Sequence, residues 1–195
     1  MTKAESKVID FIKKHILLFL LVAVTIIAIF LRVCGMDFQS DDFNSFLNSW
    51  WSIIKLNDFT GLATQVGNYN IPYQIIIYLM TLLPLNALYA YKIVSIIFDF
   101  VLAISTAMLA YSFAKNNRRL KAILTYSAVL LSATVIFNSS FWAQCDSIYT
   151  SFIILAILFL HKDKPIASFV FIGIAFAFKL QTVFIIPVLL YYWIS

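Results

Sequence analysis

The sequence predicts an all-α membrane protein, a polytopic transmembrane helical bundle with interfacial helices in its first external loop. Of the 195 residues, 63% are hydrophobic and only 12% are charged, whereas a soluble domain averages about 45–50% and about 25%. The apolar residues form long runs, and most charges stand between the runs. Too few polar side chains remain to cover a water-facing surface, which excludes a soluble enzyme, a disordered chain and a nucleic-acid-binding module.

Six apolar runs are predicted to cross the membrane. They cover residues 16–34, 88–114, 122–137, 148–160, 166–178 and 183–194. The first run follows a basic N-terminus, as the apolar part of a signal peptide does. It is long, however, and Arg32, Val33 and Cys34 offer no small-residue cleavage site after it. We therefore expect an uncleaved transmembrane helix.

Two shorter segments are predicted to lie at the membrane interface. Residues 41–56 carry apolar side chains at 43, 46, 47, 50, 51 and 54, the spacing of one helix face, and Trp50 and Trp51 suit the headgroup level. Residues 71–84 are apolar, with Pro72 and Pro84 near their ends. They are shorter than the about 20 residues that cross a bilayer.

Charge predicts the orientation of the chain. If residues 71–84 do not cross, ten Lys and Arg and three acids share the side of the N-terminus, a net charge of +7. Four cations and six acids then lie on the other side, a net charge of −2. The positive-inside rule places the N-terminus in the cytoplasm.

Three charged residues fall at a similar predicted depth. Asp99, Asp146 and Lys179 lie 15 or 16 residues from the basic loops, roughly 22–24 Å at 1.5 Å per helical residue. A charge at this depth is by default a functional hypothesis, and the three would need a water-filled cleft or mutual pairing. The alternative is a structural ion-pair cluster that orients the helices. Lys92 shares a helix face with Asp99.

The first external loop carries three acids, Asp37, Asp41 and Asp42. One of them could serve as a general base, or they could hold a divalent cation. The alternative is that at least one acid only caps the helix that follows. Cys34 and Cys145 form neither a disulfide framework nor a metal pattern, so we assign no metal ligands.

The segment at residues 137–150 places polar and aromatic side chains at the mouth of the predicted cleft. They are Asn138, Trp142, Gln144, Asp146 and Tyr149. Aromatic rings stack on sugars, and amides and carboxylates hydrogen-bond hydroxyls. For the two aromatic residues the alternative is ordinary anchoring at the membrane interface.

Together these motifs resemble the GT-C superfamily of integral membrane glycosyltransferases, and most of all the bacterial relatives of the GPI-anchor mannosyltransferases (the PIG-V-like group). The resemblance rests on an ordered series: Asp37 to Asp42 with Trp50–Trp51, Asn68 to Tyr73, Lys92 and Asp99, Asn138, Trp142 to Ser147, and Lys179-Leu180-Gln181 before Pro187. Ala143 replaces the family's usual Gly, and Asn70-Ile71 stands where the family has Tyr-Pro, which leaves the sugar open.

The resemblance implies transfer of a sugar from a polyprenyl-phosphate donor to a lipid or glycan acceptor, on the outer face of a bacterial plasma membrane. Among the catalytic candidates, Asp41 or Asp42 is favoured over Asp37 as the base. The substrate-binding candidates are Tyr69, Lys92, Asp99, Trp142, Gln144, Asp146, Lys179 and Gln181. No cofactor is assigned, and dependence on a divalent cation stays open.

Two further expectations concern the chain as a whole. Members of this superfamily usually have more spans, and the sequence stops inside an apolar run, so we expect a domain that is incomplete at its C-terminus. Two other functions stay open. One is a small transporter or channel component that uses Asp99, Asp146 and Lys179, and the other is a non-catalytic membrane partner in polysaccharide export.

Overall fold

The computed structural model describes residues 3–194, and this part of the chain is helical with no strand. Its α-helices are α1 (Lys3–Val33), α2 (Asn48–Asn57), α3 (Ile71–Thr81), α4 (Ala87–Phe113), α5 (Arg118–Leu130), α6 (Ala133–Ile136), α7 (Asp146–His161), α8 (Pro165–Phe178) and α9 (Ile186–Ile194). Short π-helical turns precede α2 and follow α6, and 3-10 turns follow α2 and α8. The all-α prediction is confirmed.

Two described helices are long and apolar enough to cross a membrane. They are Asp10–Val33 within α1 and the whole of α4. A third span results if α5 and the segment Ala133–Phe141, which meet at an angle of 51°, are counted as one. Helices also occupy the other predicted spans, but α7 and α8 have only 16 and 14 residues, fewer than the about 20 that cross a bilayer.

The two predicted interfacial segments are helical. A π-helical turn at Phe43–Leu47 leads directly into α2. In α3, Pro72 lies in the first turn, where its missing N–H costs no helical hydrogen bond. The helix ends at Thr81, three residues before the predicted end.

Helix α4 is central, since it packs against both α5 and α7, while α1 packs on α5 and α8 packs on α7. A core of buried aromatic and branched side chains joins α2, α3, α4 and the start of α7. It includes Trp51, Ile54, Tyr73, Tyr91 and Ile148. This core fixes the segment between α1 and α3 against α4.

A buried ionic network ties α1, α4 and α7 together. The Arg32 Nε donates to Asp99 Oδ2 at 2.9 Å, and the two side chains are only 1% and 0% exposed. The hydroxyls of Ser139 and Ser147 also donate to the Asp99 carboxylate. Burying a charge is tolerable only when it is paired and hydrogen-bonded in this way, so Asp99 is a structural anchor.

Lys92 anchors the turn that follows α1. Its ammonium is buried and donates to the backbone carbonyls of Gly35, Met36 and Phe38. An ammonium has three donors, and these carbonyls take all of them. The segment that follows α1 is therefore fastened to α4 at its start.

Candidate functional site

A polar cavity of about 830 Å³ opens where four irregular segments meet. These segments are the π-helical turn before α2, the loop before α3, the connection between α6 and α7, and the break after α8. The lining residues are Asp42, Phe46, Leu47, Trp50, Asn68, Tyr69, Asn70, Asn138, Trp142, Gln144, Asp146, Phe178, Lys179, Leu180, Gln181, Val183 and Phe184. Polar and charged groups therefore share one cavity with aromatic rings.

Gln144 links Asp42 to Tyr69 on one wall of the cavity. The Tyr69 hydroxyl donates to Gln144 Oε1 at 3.0 Å, and Gln144 Nε2 donates to Asp42 Oδ2 at 2.7 Å. Burial, together with the charges of the nearby acids, raises the pKa of Tyr69 well above its ordinary value, so the hydroxyl keeps its proton. Its donation orients the amide with the N–H toward Asp42.

Asp146 is held from both sides in the same cavity. Lys179 pairs with its Oδ1, and Asn138 Nδ2 donates to its Oδ2 at 2.9 Å. The Lys179 ammonium also lies 5.6 Å from the Tyr69 ring centroid and 5.4 Å from that of Tyr149. Burial opposes the charge of Lys179, but the hydrogen bond and charge of Asp146 outweigh it and raise its pKa. Lys179 is therefore a cation at neutral pH.

Aromatic side chains form the remaining walls. The indole of Trp50 meets the ring of Tyr69 edge-on, with 5.5 Å between the centroids. Trp142 is 49% exposed and lines the cavity. Gly67, at a φ of 76°, lies directly on the Trp50 ring, and a Cβ there would come within 2.3 Å of it. A larger residue at this position would push Trp50 toward the cavity or distort the loop.

Seven of the predicted site residues line this cavity, and four do not. The lining residues are Asp42, Tyr69, Trp142, Gln144, Asp146, Lys179 and Gln181. Outside the lining, Asp37 accepts a hydrogen bond from the Tyr89 hydroxyl at 2.6 Å, and Asp41 is exposed. Lys92 and Asp99 are buried in the bundle.

The predicted grouping of Asp99, Asp146 and Lys179 holds only for the last two. Asp99 pairs with Arg32 instead, a residue for which the sequence analysis predicts no site role. Arg32 stands in the last turn of an apolar helix. A cation at such a position is the sequence feature that could have indicated a partner for Asp99. The pairing satisfies Asp99, which accordingly has no need of a water-filled cleft.

The expectation that one of the loop acids caps the helix is wrong. At the start of the π-helical turn, the Phe43 N–H donates to the Ser40 hydroxyl at 3.1 Å, and Asp42 makes no capping hydrogen bond. Because Ser40 does the capping, the carboxylate of Asp42 is available to Gln144.

Several lining residues were missed by the sequence reasoning. Phe46 and Leu47 were assigned only to the apolar face of an interfacial helix, and Phe178, Val183 and Phe184 only to predicted spans. Apolar periodicity does not indicate that these side chains border a polar cavity, because that position depends on how distant segments of the chain meet.

No group of three His, Cys, Asp or Glu side chains within residues 3–194 is arranged to hold a metal ion. The two acids of the cavity are instead engaged by Gln144, Asn138 and Lys179. Comparison with protein-family models, with curated proteins and with solved structures finds no match to this chain.

Proposed function

We propose that the chain is a membrane glycosyltransferase that moves a sugar from a polyprenyl-phosphate donor to a hydroxyl of a lipid or glycan acceptor at the outer face. The observation that carries this proposal is the polar cavity, which brings an oriented carboxylate, a lysine cation and aromatic faces together beside apolar helices. These are the groups that a base, a leaving phosphate and a sugar ring require.

Asp42 is the general base in this proposal. Gln144 holds its Oδ2, and no described side chain hydrogen-bonds its Oδ1, which is left to accept the proton of the acceptor hydroxyl. Tyr69 acts through Gln144 as a positioning residue, since its donation fixes which end of the amide faces Asp42. Asp41, the next residue, lies outside the cavity lining.

Lys179 stabilises the leaving phosphate. Breaking the bond between the sugar and the phosphate leaves negative charge on the phosphate oxygen, and a preoriented cation lowers the barrier to that step. The ammonium has three N–H donors and uses one on Asp146. Asp146 and Asn138 thus position Lys179, and the two tyrosine rings beside it favour the cation.

The sugar ring would occupy the space between Trp142 and the amides. Trp142 offers an exposed aromatic face, and Gln181 lines the same cavity. The oxygen and one N–H of the Gln144 amide form hydrogen bonds within the protein, so one N–H remains for a sugar hydroxyl. An ion or proton relay through Asp99, Asp146 and Lys179 has less support, because Asp99 is satisfied by Arg32 and two serines.

The proposal is tested by measuring transfer from radiolabelled polyprenyl-phosphate sugars, mannose first, in membranes that carry the chain. Asp42→Asn keeps the acceptor oxygen for Gln144 but removes the base, and we expect transfer to fall by at least about 100-fold. We expect the Lys179→Ala variant to lose transfer activity to a comparable extent. Asp41→Asn is the matched control and is expected to stay within a few-fold of wild type.

Two results would overturn the proposal at different levels. Equal activity of Asp41→Asn and Asp42→Asn, at equal expression, contradicts the assignment of the base. Absence of transfer by the wild-type chain from every polyprenyl-phosphate hexose offered, with the chain folded and inserted, contradicts the function itself.

A further inference from the structure

A second concave surface is lined by the C-terminal half of α4, no residue of which lines the polar cavity. It is a groove of about 660 Å³ between α1, α4 and α5, and we call it the basic-end groove. The end at which it opens carries the α4–α5 loop and the α7–α8 loop, which meet where Phe113 stacks on His161 with ring centroids 4.0 Å apart. The proposed function uses none of its residues.

The inner wall of the basic-end groove is apolar. Leu21 of α1, Ile104, Ala107 and Met108 of α4, and Ile123 of α5 line it. Behind this wall lies a packed core that includes Val24, Ala28 and Leu130. The groove is therefore a surface furrow over a closed core, and Met108 and Ile104 are about half exposed in it.

The outer rim of the groove is cationic. Arg118 and Lys162 line it, together with Tyr111 and Ser112, and no Asp or Glu within the described residues does so. The Arg118 Nε donates to the Ala114 carbonyl at 2.8 Å, and its guanidinium lies 5.8 Å from the Tyr111 ring centroid. These contacts hold the guanidinium at the rim, and its terminal nitrogens have no acidic partner in the described chain.

The basic-end groove runs along α4, and its length can be compared with the thickness of a bilayer leaflet. From Ser112 at the rim to Ile104 is eight helical residues, about 12 Å, which is close to the depth of one hydrocarbon leaflet, about 15 Å. A basic rim above an apolar furrow of this depth complements a phosphate headgroup with an acyl chain below it. Basic pockets between membrane helices bind anionic lipid headgroups for the same reason.

We propose that the basic-end groove binds an anionic phospholipid, with its phosphate between Arg118 and Lys162 and one acyl chain along Ile104, Ala107 and Met108. This site is independent of the sugar-transfer proposal, because it shares no lining residue with the polar cavity. A free phosphate ion would use the two cations but not the furrow.

The test is native mass spectrometry of the purified full chain in detergent, titrated with phosphatidylglycerol or with phosphatidylcholine. We expect tighter binding of phosphatidylglycerol. The variant Arg118→Gln with Lys162→Gln is expected to weaken it about 25-fold, since each cation near an anionic lipid surface contributes about fivefold. Inorganic phosphate at millimolar concentration is expected not to displace the lipid.

The matched control is Arg119→Gln with Lys164→Gln. It removes the same charge from the same two regions, the start of α5 and the α7–α8 loop, but both side chains are exposed and lie outside the groove. We expect it to bind phosphatidylglycerol within about twofold of wild type. If both double variants weaken phosphatidylglycerol binding equally, the lipid is attracted to the basic segments in general, and the proposed site is wrong. Equal binding of phosphatidylglycerol and phosphatidylcholine by the wild-type chain also overturns the site. Displacement by inorganic phosphate overturns the lipid assignment. Thermal unfolding of each variant verifies that it is folded.

Discussion

The acids Asp99 and Asp146 lie in the same bundle, but their surroundings differ. Asp99 is 0% exposed and receives hydrogen bonds from Arg32, Ser139 and Ser147. The side chain of Asp146 is 38% exposed, and its partner Lys179 is 18% exposed. The first carboxylate is closed off and serves the fold, whereas the second is open to a ligand.

The Arg32–Asp99 pair gives a prediction at this scale. Arg32→Met leaves a buried carboxylate without its cation, which costs about 3–5 kcal/mol, so we expect the apparent Tm in detergent to fall by several degrees or the chain to fail to fold. The double variant Arg32→Met with Asp99→Asn removes the stranded charge and is expected to recover part of the loss. A double variant no more stable than Arg32→Met contradicts the role of the pair.

The sequence could not separate Asp41 from Asp42. Neighbouring residues on a helix point about 100° apart, and the direction of each depends on where the helix starts. The π-helical turn that begins at Phe43 and the cap from Ser40 decide it. Neither feature has a reliable sequence signature, whereas Gln144, Asp146 and Lys179 were predictable because polar residues stand out in apolar surroundings.

At the scale of elements, the helices fall close to the predicted runs, but one run is broken. Residues 122–137 contain neither Pro nor Gly, so the sequence predicts an unbroken helix. In the structure α5 ends at Leu130, and α6 departs at 51° after Leu131 and Ser132. This bend and the π-helical turn at Phe137–Phe141 carry Asn138 to the cavity and Ser139 to Asp99. The hydrogen bonds of Asn138 and Ser139 stabilise a break in the helix that the local sequence does not favour.

Two glycines of different elements give a matched prediction. Gly67→Ala places a Cβ against the Trp50 ring at a φ of 76°, and we expect a loss of stability of about 1–3 kcal/mol. Gly173→Ala lies inside α8 with nothing within 4 Å of the new Cβ, and we expect a gain of about 0.4–1 kcal/mol. Thermal unfolding in the same detergent measures both. A neutral Gly67→Ala contradicts the close contact with Trp50.

For the whole molecule, α1 shows how the bundle meets its surroundings. Ile26, Phe30 and Val33 are each more than 60% exposed, although α1 contains the more apolar of the two described membrane-length spans. An apolar face of this size is stable against lipid and not against water. The sequence identifies such a helix from hydropathy alone, but it does not show which face packs on α5.

The orientation of the chain gives a prediction for the whole molecule. In a Cys34→Ser background, where Cys145 is buried, single cysteines replace the exposed residues Ser45 and Lys162. We expect an impermeant maleimide to label Ser45→Cys on intact cells and Lys162→Cys only after permeabilisation. Labelling of both positions from the same side contradicts the orientation derived from charge.

The two ion pairs also differ in the order in which their partners are synthesised. Because a chain emerges from its N-terminus, Arg32 is already in place when Asp99 follows 67 residues later. Asp146, in contrast, precedes Lys179 by 33 residues, so α7 first meets the lipid with an unneutralised carboxylate at its leading end. Since an unpaired charge in hydrocarbon is costly, the start of α7 settles only when α8 has emerged. The polar cavity is thus completed only after α8 has emerged during biogenesis.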